Sequence, residues 1–332
     1  MHRHFTARAV ASLCLAAAAA GFSLPAHAAD LTIRMAHPFA PGGPEDRANA
    51  KFAEILKEKS GGKVTAEIYP GGQLGGMQQI IQGIPTGLAN GIFISSGTLG
   101  LIDPVVSMTV WPYLFKAKAN FDCAYAQPEG LAYLEHVRET TGFLALAPAY
   151  KGTRHLYSTR PVTDIADLKG LKVRVAPIPV YSKPWEALGA VPTGIDVAEA
   201  YTALRQGVVD AVEIELPTAR ALRFHEVARH VVLTGHAMDN YAWLFDEKWL
   251  TSQDPDTRRV IEAAATEASA WFSDQSVKEE EAVLALFKES GATIHTVDRD
   301  VLHNAIEEPM RKALPDMVPW VDRFRAAGDR CG

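Results

Sequence analysis

Two arginines stand in the stretch of this 332-residue chain whose residue types are best suited to hold a small organic anion. Arg174 is the third residue of Lys172–Val175, where polar and β-branched residues alternate and predict a strand. Arg154 lies earlier, in another run that favours extended chain. A guanidinium presents a rigid fork of N–H donors that matches a carboxylate, so arginines on neighbouring strands could hold one anion. The alternative is that each arginine pairs with a surface acid such as Asp164 or Asp167.

Further polar side chains follow predicted strands in the first third of the chain. His37 comes directly after the strand predicted at Leu31–Ala36, and Ser95 and Ser96 follow the strand predicted at 91–94. In open α/β sheets, ligands bind outside the carboxyl ends of strands. We therefore expect His37, and Ser95 or Ser96, to be candidates for contact with a small molecule, although a lone histidine is more often a packing or solvent-facing residue.

Length and composition restrict the kind of protein. The chain is long enough for two ordinary α/β domains, and its 48% hydrophobic and 22% charged residues are typical of a globular protein. The formal net charge is −6. An acidic body argues against nucleic acid as a partner, because phosphates need a basic face. Binding of an anion must then depend on a few well-placed arginines.

Residues 1–28 have the organisation of a signal peptide. Arg3 and Arg8 give a basic start, an apolar alanine-rich run follows, and Ala26-His27-Ala28 is a small-x-small cleavage site. Cys14 lies inside the apolar run and is preceded by Leu13, which does not suit lipoprotein processing. The sequence thus predicts export to the periplasm with cleavage near Ala28, and no later run approaches the ~18–20 apolar residues of a membrane span.

The usual constellations of catalysis and metal binding are missing from the sequence. His225 and His230 surround a Glu but are five residues apart, and Arg229 stands where a zinc helix needs its second histidine. Gln73 occupies the middle glycine position of a dinucleotide-binding pattern, and no G-x-S-x-G is present. We predict no enzyme, no cofactor and no metal. Cys123 and Cys331 remain after maturation, either as a disulfide or as two free thiols.

A series of short motifs around the two arginines resembles the extracytoplasmic solute receptors of tripartite ATP-independent periplasmic (TRAP) transporters. The matching features lie between residues 152 and 210: the G-x-R of Gly152 to Arg154, the run Asp167 to Lys172 before Arg174, Leu188-Gly189-Ala190 with Pro192-Thr193, Glu199-Ala200-Tyr201, and Gly207 to Asp210. The resemblance extends over essentially the whole mature chain. It implies that Arg174 clamps the carboxylate of an organic acid, with Arg154 as a second donor that engages only on closure.

The resemblance also implies an architecture. It predicts an α/β, two-domain fold like that of periplasmic binding proteins, with a hinge cleft and a long helix spanning both domains. The run 256–290 has neither Gly nor Pro and suits that helix. Domain I would comprise 29–151 plus 240–279, and domain II 152–239 plus 280–332. Partners would be the organic acid and the small and large membrane subunits of the transporter; most relatives act as monomers, some as dimers.

One position departs from the family pattern. Relatives commonly read E-N-P where this chain has Glu213-Ile214-Glu215, so a frequent solute-binding amide is replaced by an apolar residue. If Glu215 faces the cleft, it would repel a second carboxylate and accept bonds from hydroxyl or ammonium groups; a surface position is the alternative. Trp243, in an aromatic alternation, could line the cleft or belong to the core.

These observations together predict a periplasmic receptor that captures an organic acid and delivers it to TRAP membrane subunits. Two alternatives remain open at this point. One is a receptor of an ABC transporter, which a break in the helix at 256–290 would favour. The other is a periplasmic enzyme that acts on small acidic molecules.

Overall fold

The computed structural model of the protein describes residues 30–331. The predicted signal peptide, residues 1–28, lies outside the described residues, as does Gly332. Within the described part, no helix is both long and apolar enough to cross a membrane.

Nine strands form one mixed sheet within residues 30–331. They are β1 (Leu31–Ala36), β2 (Val64–Tyr69), β3 (Gly91–Ser95), β4 (Phe143–Ser158), β5 (Lys172–Val175), β6 (Val191–Gly194), β7 (Ala211–Glu215), β8 (His230–Asp246) and β9 (Thr293–Thr296). Their order is β2-β1-β3-β8-β4-β7-β5-β6, and β9 pairs with β8. The two long strands β4 and β8 are antiparallel neighbours at the centre, and a parallel group lies on each side.

Helices pack around this sheet. They are α1 (Pro44–Lys59), α2 (Met77–Gly83), α3 (Lys118–Ala126), α4 (Pro128–Thr141), α5 (Pro179–Ala187), α6 (Val197–Arg205), α7 (Leu216–Ala221), α8 (Glu247–Ser252), α9 (Pro255–Glu289), α10 (Arg299–Ala313) and α11 (Val318–Asp329). Prolines at the first turns of several of these helices fit that position, because the first N–H groups of a helix have no partner inside it.

The strands β4 and β8 run through both parts of the sheet. The carboxyl half of β8 pairs with β3, whereas the carboxyl half of β4 pairs with β7. Between these regions the register of β4 against β8 shifts three times, from Leu146 to Leu156. Pro148 lacks the N–H that a hydrogen-bonded strand pair needs. Gly152 has φ +131°, a backbone conformation that residues with a side chain rarely adopt. The sheet is thus continuous but irregular where its two parts meet.

The helix predicted at 256–290 is observed as α9, unbroken over its 35 residues and therefore roughly 50 Å long. Asp254 caps its first turn by accepting bonds from the N–H groups of Asp256 and Thr257. The helix contacts α1, β4 and α7, elements on both sides of the irregular region. Small residues such as Ala264 and Ala268 are fully buried on this helix.

The run around Arg154 that favours extended chain is observed as the carboxyl end of β4, and β8 ends at Asp246, whose side chain caps α8. The predicted division into two domains stays a prediction. The C-terminal helix α11, which it assigns to domain II, packs against α3 and α4.

Cys123 and Cys331 form a disulfide, which settles the alternative left open by the sequence. Cys123 lies in α3, and Cys331 follows α11, so the bond connects the end of the chain to a helix 208 residues earlier. A disulfide agrees with an oxidising compartment.

Candidate functional site

A cavity of about 40 Å³ lies between the two parts of the sheet, near the carboxyl ends of β3, β5 and β7. A cavity of this size holds only a few water molecules, so a larger solute could enter it only if the two parts move apart. Its polar wall consists of Ser95, Thr98, Arg154, Arg174, Tyr181, Glu215, Asp239 and Tyr241, and its apolar wall of Phe39, Met77, Ile94, Ala176, Val197 and Ile214. Both predicted arginines therefore meet in one cavity.

Arg174 is a buried cation without an acidic partner in the part of the chain that the structure describes. Its side chain is 2% exposed, and its only hydrogen bond there is 2.8 Å long, from Nε to the carbonyl oxygen of Ile195. Burial lowers the pKa of Arg174 to about 10 against the attraction of the Glu213 charge, and the positive charge of Arg154 acts in the same direction as burial. The guanidinium still carries its charge at neutral pH. Neither Asp164 nor Asp167 pairs with it, since both cap a short 3-10 helix.

Arg154, by contrast, is surrounded by carboxylates. Nε and Nη2 donate to the two carboxylate oxygens of Glu213 at 2.6 and 2.8 Å, and Nη1 donates to Glu215 and Asp239, each at 2.7 Å. A fifth bond of 3.1 Å joins Nη2 to the Glu213 carbonyl oxygen. These five bonds match the five N–H donors of a guanidinium. The alternative that Arg154 pairs with an acid holds here, but the acids are buried.

Strand geometry explains this cluster. Arg154 is directly opposite Glu215 on β7 and opposite Ala237 on β8. Because side chains alternate along a strand, residues two positions away point to the same face. Glu213 and Asp239 therefore project on the same side as Arg154. Three neighbouring strands thus place four ionisable groups in contact.

Within this cluster, the pKa values of Glu213 and Glu215 are shifted in opposite directions. Burial would raise the pKa of Glu213, but the Arg154 ion pair and a hydrogen bond from His236 outweigh it and hold that pKa at about 2. For Glu215, burial dominates and the neighbouring Asp239 acts with it, so its pKa is raised despite the contact with Arg154. Glu213 is the permanent counter-ion of Arg154, and Glu215 is the group that most readily holds a proton.

Ser95 connects the two parts of the cavity wall. Its Oγ donates to Asp239 Oδ1 at 2.6 Å and lies 3.1 Å from the hydroxyl of Tyr181 on α5. The ring of Tyr181 also lies under the Arg154 guanidinium, 4.7 Å from its carbon to the ring centroid. A second contact across the cleft joins the N–H of Met77 to Asp196 at 3.1 Å. The two parts are therefore in contact in this structure.

Of the seven site residues predicted from the sequence, four line the cavity: Arg174, Arg154, Ser95 and Glu215. The structure places Glu215 inside, with 1% of it exposed, and not on the surface. His37, Ser96 and Trp243 are buried but do not line this cavity. His37 bonds Asp46 at 3.2 Å, and Trp243 is stacked between Phe52 and Phe93 in the core. Contact of the seven with a solute stays a prediction.

Sequence reasoning did not single out Asp239 and Tyr181. Asp239 is an acid amid the apolar residues of β8, and that interruption could have identified it. Tyr181 lies in a short helix whose pattern contains no comparable signal. No group of three or more His, Cys, Asp or Glu side chains in residues 30–331 is arranged to hold a metal ion.

Comparison with known proteins agrees with this geometry. The family model of bacterial extracellular solute-binding protein family 7, DctP, matches residues 35–317. A solute-binding protein of Roseobacter denitrificans is 30% identical over 254 residues, which cover 76% of this chain and 77% of that protein.

Solved structures give the same result for the fold. The sugar acid binding protein of Advenella mimigardefordensis, in complex with galactonate, has a TM-score of 0.86 at 24% identity, covering 91% of this chain and 98% of that one. A TRAP periplasmic solute-binding protein of Roseobacter denitrificans with bound L-galactonate has a TM-score of 0.84 at 24% identity, covering 89% and 99%. The predicted two-domain fold of the periplasmic binding proteins is confirmed. The chain belongs to family 7 of the bacterial extracellular solute-binding proteins, the TRAP-type receptors, whose members bind solutes for transport and are not enzymes.

Proposed function

We propose that this protein is a periplasmic receptor that binds the carboxylate of an organic acid through Arg174 and delivers the acid to the membrane subunits of a TRAP transporter. The observation that carries the proposal is the state of Arg174. It is a buried, charged guanidinium that lines the cavity and has no acidic partner among residues 30–331. An unpaired buried charge is unfavourable, and a carboxylate that enters the cavity would relieve it.

The acids bound by similar proteins support the same class of solute. Two of the structures compared above contain galactonate or L-galactonate, each with a single carboxylate. Arg154 would be a second donor only if it gave up one of its bonds to Glu213, Glu215 or Asp239, because all five of its N–H groups are engaged. Its role in this proposal is therefore to hold the acidic wall in place while Arg174 binds the carboxylate.

Export and delivery complete the proposal. The basic start and the small-x-small site of residues 1–28 support cleavage near Ala28 and release into the periplasm. Family membership supports the small and large TRAP membrane subunits as partners. Uptake of a bound acid into vesicles that carry those subunits, with and without this receptor, measures the delivery step.

Substitution of Arg174 tests the proposal most directly. We expect Arg174→Ala to weaken binding of any acid that the native protein binds by at least about 100-fold, since each charge-assisted hydrogen bond contributes about 1.5–3 kcal/mol. The empty variant should melt no lower than the native protein, because the substitution removes an unpaired buried charge. Thermal shift and calorimetry with aldonates, uronates, keto acids and dicarboxylates measure both quantities.

Arg205 provides a matched control, because it is an exposed arginine on α6, outside the cavity. Arg205→Ala should bind like the native protein. An Arg174→Ala variant with native affinity for its acid would refute the carboxylate contact, and binding of neutral solutes alone would refute the class.

A further inference from the structure

One oxygen on the cavity wall receives no hydrogen bond from any N–H or O–H donor of residues 30–331. It is Oε2 of Glu215, whose side chain is 1% exposed. The other oxygen, Oε1, accepts the 2.7 Å bond from Arg154 Nη1. Buried polar groups are almost always hydrogen-bonded. Oε2 therefore requires either a proton or a donor that enters the cavity.

The neighbouring carboxylate, Asp239, is satisfied as an anion. Its Oδ1 accepts bonds from Ser95 Oγ at 2.6 Å and from the N–H of Asn240 at 2.8 Å, and its Oδ2 accepts from Arg154 at 2.7 Å. Glu215 and Asp239 thus share one donor nitrogen, while only Glu215 keeps an unused oxygen. If the two carboxyl groups hold one proton between them, it belongs on Glu215.

Around Arg154, carboxyl groups outnumber the cations that form ion pairs with them. Arg154 is already paired through two bonds with Glu213, so a single guanidinium faces three carboxyl groups. Lys151 on β4, whose ammonium pairs with Glu45 at 2.6 Å, and Arg174 act on Glu215 only at a distance, without an ion pair. Burial lowers the pKa of His236, which disfavours a positive charge there. A further negative group placed beside Glu215 would be strongly repelled in this buried setting.

A solute could present a hydroxyl, an ammonium or a second carboxylate to Glu215. These groups differ in whether they donate or accept hydrogen bonds. A hydroxyl both donates and accepts, so it can bond Glu215 whether or not that carboxyl holds a proton. An ammonium only donates and would have to displace the proton. A second carboxylate only accepts and adds charge next to Asp239. The raised pKa of Glu215, caused by burial and by Asp239, agrees with this distinction.

We propose that Glu215, held beside Asp239 by Arg154, is the residue that determines solute specificity, selecting hydroxylated monocarboxylates and rejecting dicarboxylates. This inference rests on the organic-acid receptor function proposed above. The rest of the wall suits such a solute, because Phe39, Val197 and Tyr241 offer apolar surface to the C–H groups of a hydroxylated chain.

Matched pairs of sugar acids test the proposal. Galactonate and galactarate, or gluconate and glucarate, have the same hydroxyl configuration and differ only in whether C6 is a hydroxymethyl group or a carboxylate. We expect the native protein to bind the aldonate of at least one pair at least tenfold more tightly than its aldarate. Glu215→Gln keeps the size and removes the ionisable carboxyl group, and should reduce that ratio at least tenfold, mainly through tighter aldarate binding.

Controls separate charge from folding. Glu199 is an exposed acid on α6, so Glu199→Gln should keep the native ratio. Asp239→Asn removes the neighbouring charge and should shift the ratio in the same direction as Glu215→Gln, which keeps the test valid if one variant folds poorly. Thermal melts of each variant without solute establish that it is folded.

The outcomes distinguish this inference from the receptor function itself. Binding of acids that depends on Arg174, with the same ratio in native protein and Glu215→Gln, overturns the specificity role and leaves the receptor function standing. Tighter binding of glucosaminate than of gluconate would overturn the preference for hydroxyl over ammonium. If no acid binds and Arg174→Ala changes nothing, the proposed receptor function itself is refuted.

Discussion

At the scale of residues, two buried arginines in one cavity have opposite surroundings. Arg154 has three carboxylates and uses every N–H donor, whereas Arg174 has one carbonyl oxygen. A buried ion pair contributes little net stability, but removal of one partner is costly because the other remains charged. The same residue type therefore supports structure at one position and is available to a ligand at the other.

The role of Arg154 predicts an unusual pH dependence. Arg154→Met leaves three buried carboxyl groups without their cation, and we expect a loss of about 3–5 kcal/mol at pH 7.5. Without the cation the folded-state pKa values of Glu213 and Glu215 lie above the unfolded ones, so the folded state binds more protons and the loss should shrink as pH falls from 8 to 5. Urea unfolding across that range measures the trend.

At lower pH, the free energy of unfolding of the native protein should instead decrease as the pH falls. Its Glu213 has a pKa of about 2, below the ordinary value of 4.5, so its contribution is present above pH 4.5 and is lost as pH falls toward 2. Arg205→Met, at an exposed site, should follow the native curve, and Glu213→Gln added to Arg154→Met should recover part of the loss. An equal loss at pH 5 and pH 8 would contradict this account.

At the scale of elements, side chains of α9 supply hydrogen-bond partners to the backbone of the irregular region of β4. The N–H of Tyr150 donates to Ser273 Oγ at 3.0 Å, and Ser269 Oγ donates to the carbonyl oxygen of Ala147 at 2.6 Å. Glu280 accepts from the N–H of Thr153 at 2.7 Å. Backbone groups that lose their sheet partners at the register shifts thus find partners on the helix, which makes the helix a support for the joint between the two parts.

Removal of one such partner should be measurable. In Ser273→Ala the buried N–H of Tyr150 loses its acceptor, and we expect a loss of about 1–3 kcal/mol in the free energy of unfolding. Thr266 on the same helix is exposed and bonds only the carbonyl oxygen of Glu262 within the helix. Thr266→Ala should therefore change stability by no more than about 0.5 kcal/mol. Equal effects of the two substitutions in urea unfolding would argue against the supporting role.

At the scale of the molecule, two kinds of connection hold the two parts together. The strands β4 and β8 and the helix α9 pass through both. Buried polar contacts cross between them, such as Lys151 with Glu45, which also accepts from Thr218. The disulfide ties the C-terminal segment back to α3. Motion about the joint would have to preserve the continuous elements and break the contacts across the cleft, which is characteristic of a hinge.

The disulfide closes most of the chain into one loop and should contribute strongly to stability. With a sequence separation of 208 residues, we expect its removal in the double variant Cys123→Ala and Cys331→Ala to cost about 2–5 kcal/mol. Unfolding of the native protein with a thiol reductant should approach that of the variant, and the variant itself should not respond to the reductant. A native protein insensitive to reduction would show that the bond is absent or contributes nothing.

The sequence by itself determined the elements that depend on local chemistry. Leu31–Ala36 is observed as the predicted strand, because its alternation and flanking turn residues are local signals. The long helix was also predictable, because α9 contains no glycine or helix-breaking proline after Pro255. Motif resemblance identified the family and the two arginines. These arginines do occupy one cavity, although their chemistry there was not predictable.

Only the tertiary structure decided how the charges are shared. Arg154 meets Glu213, Glu215 and Asp239 because β4 lies between β7 and β8, a neighbourhood that joins residues 59, 61 and 85 positions apart. The same packing leaves Arg174 without an acidic partner and buries Glu215 at the cavity. It places Trp243 in the core rather than on the cavity wall. Sequence pattern reports which face of a strand a residue occupies; which strands become neighbours, and therefore which charges meet, depends on long-range packing.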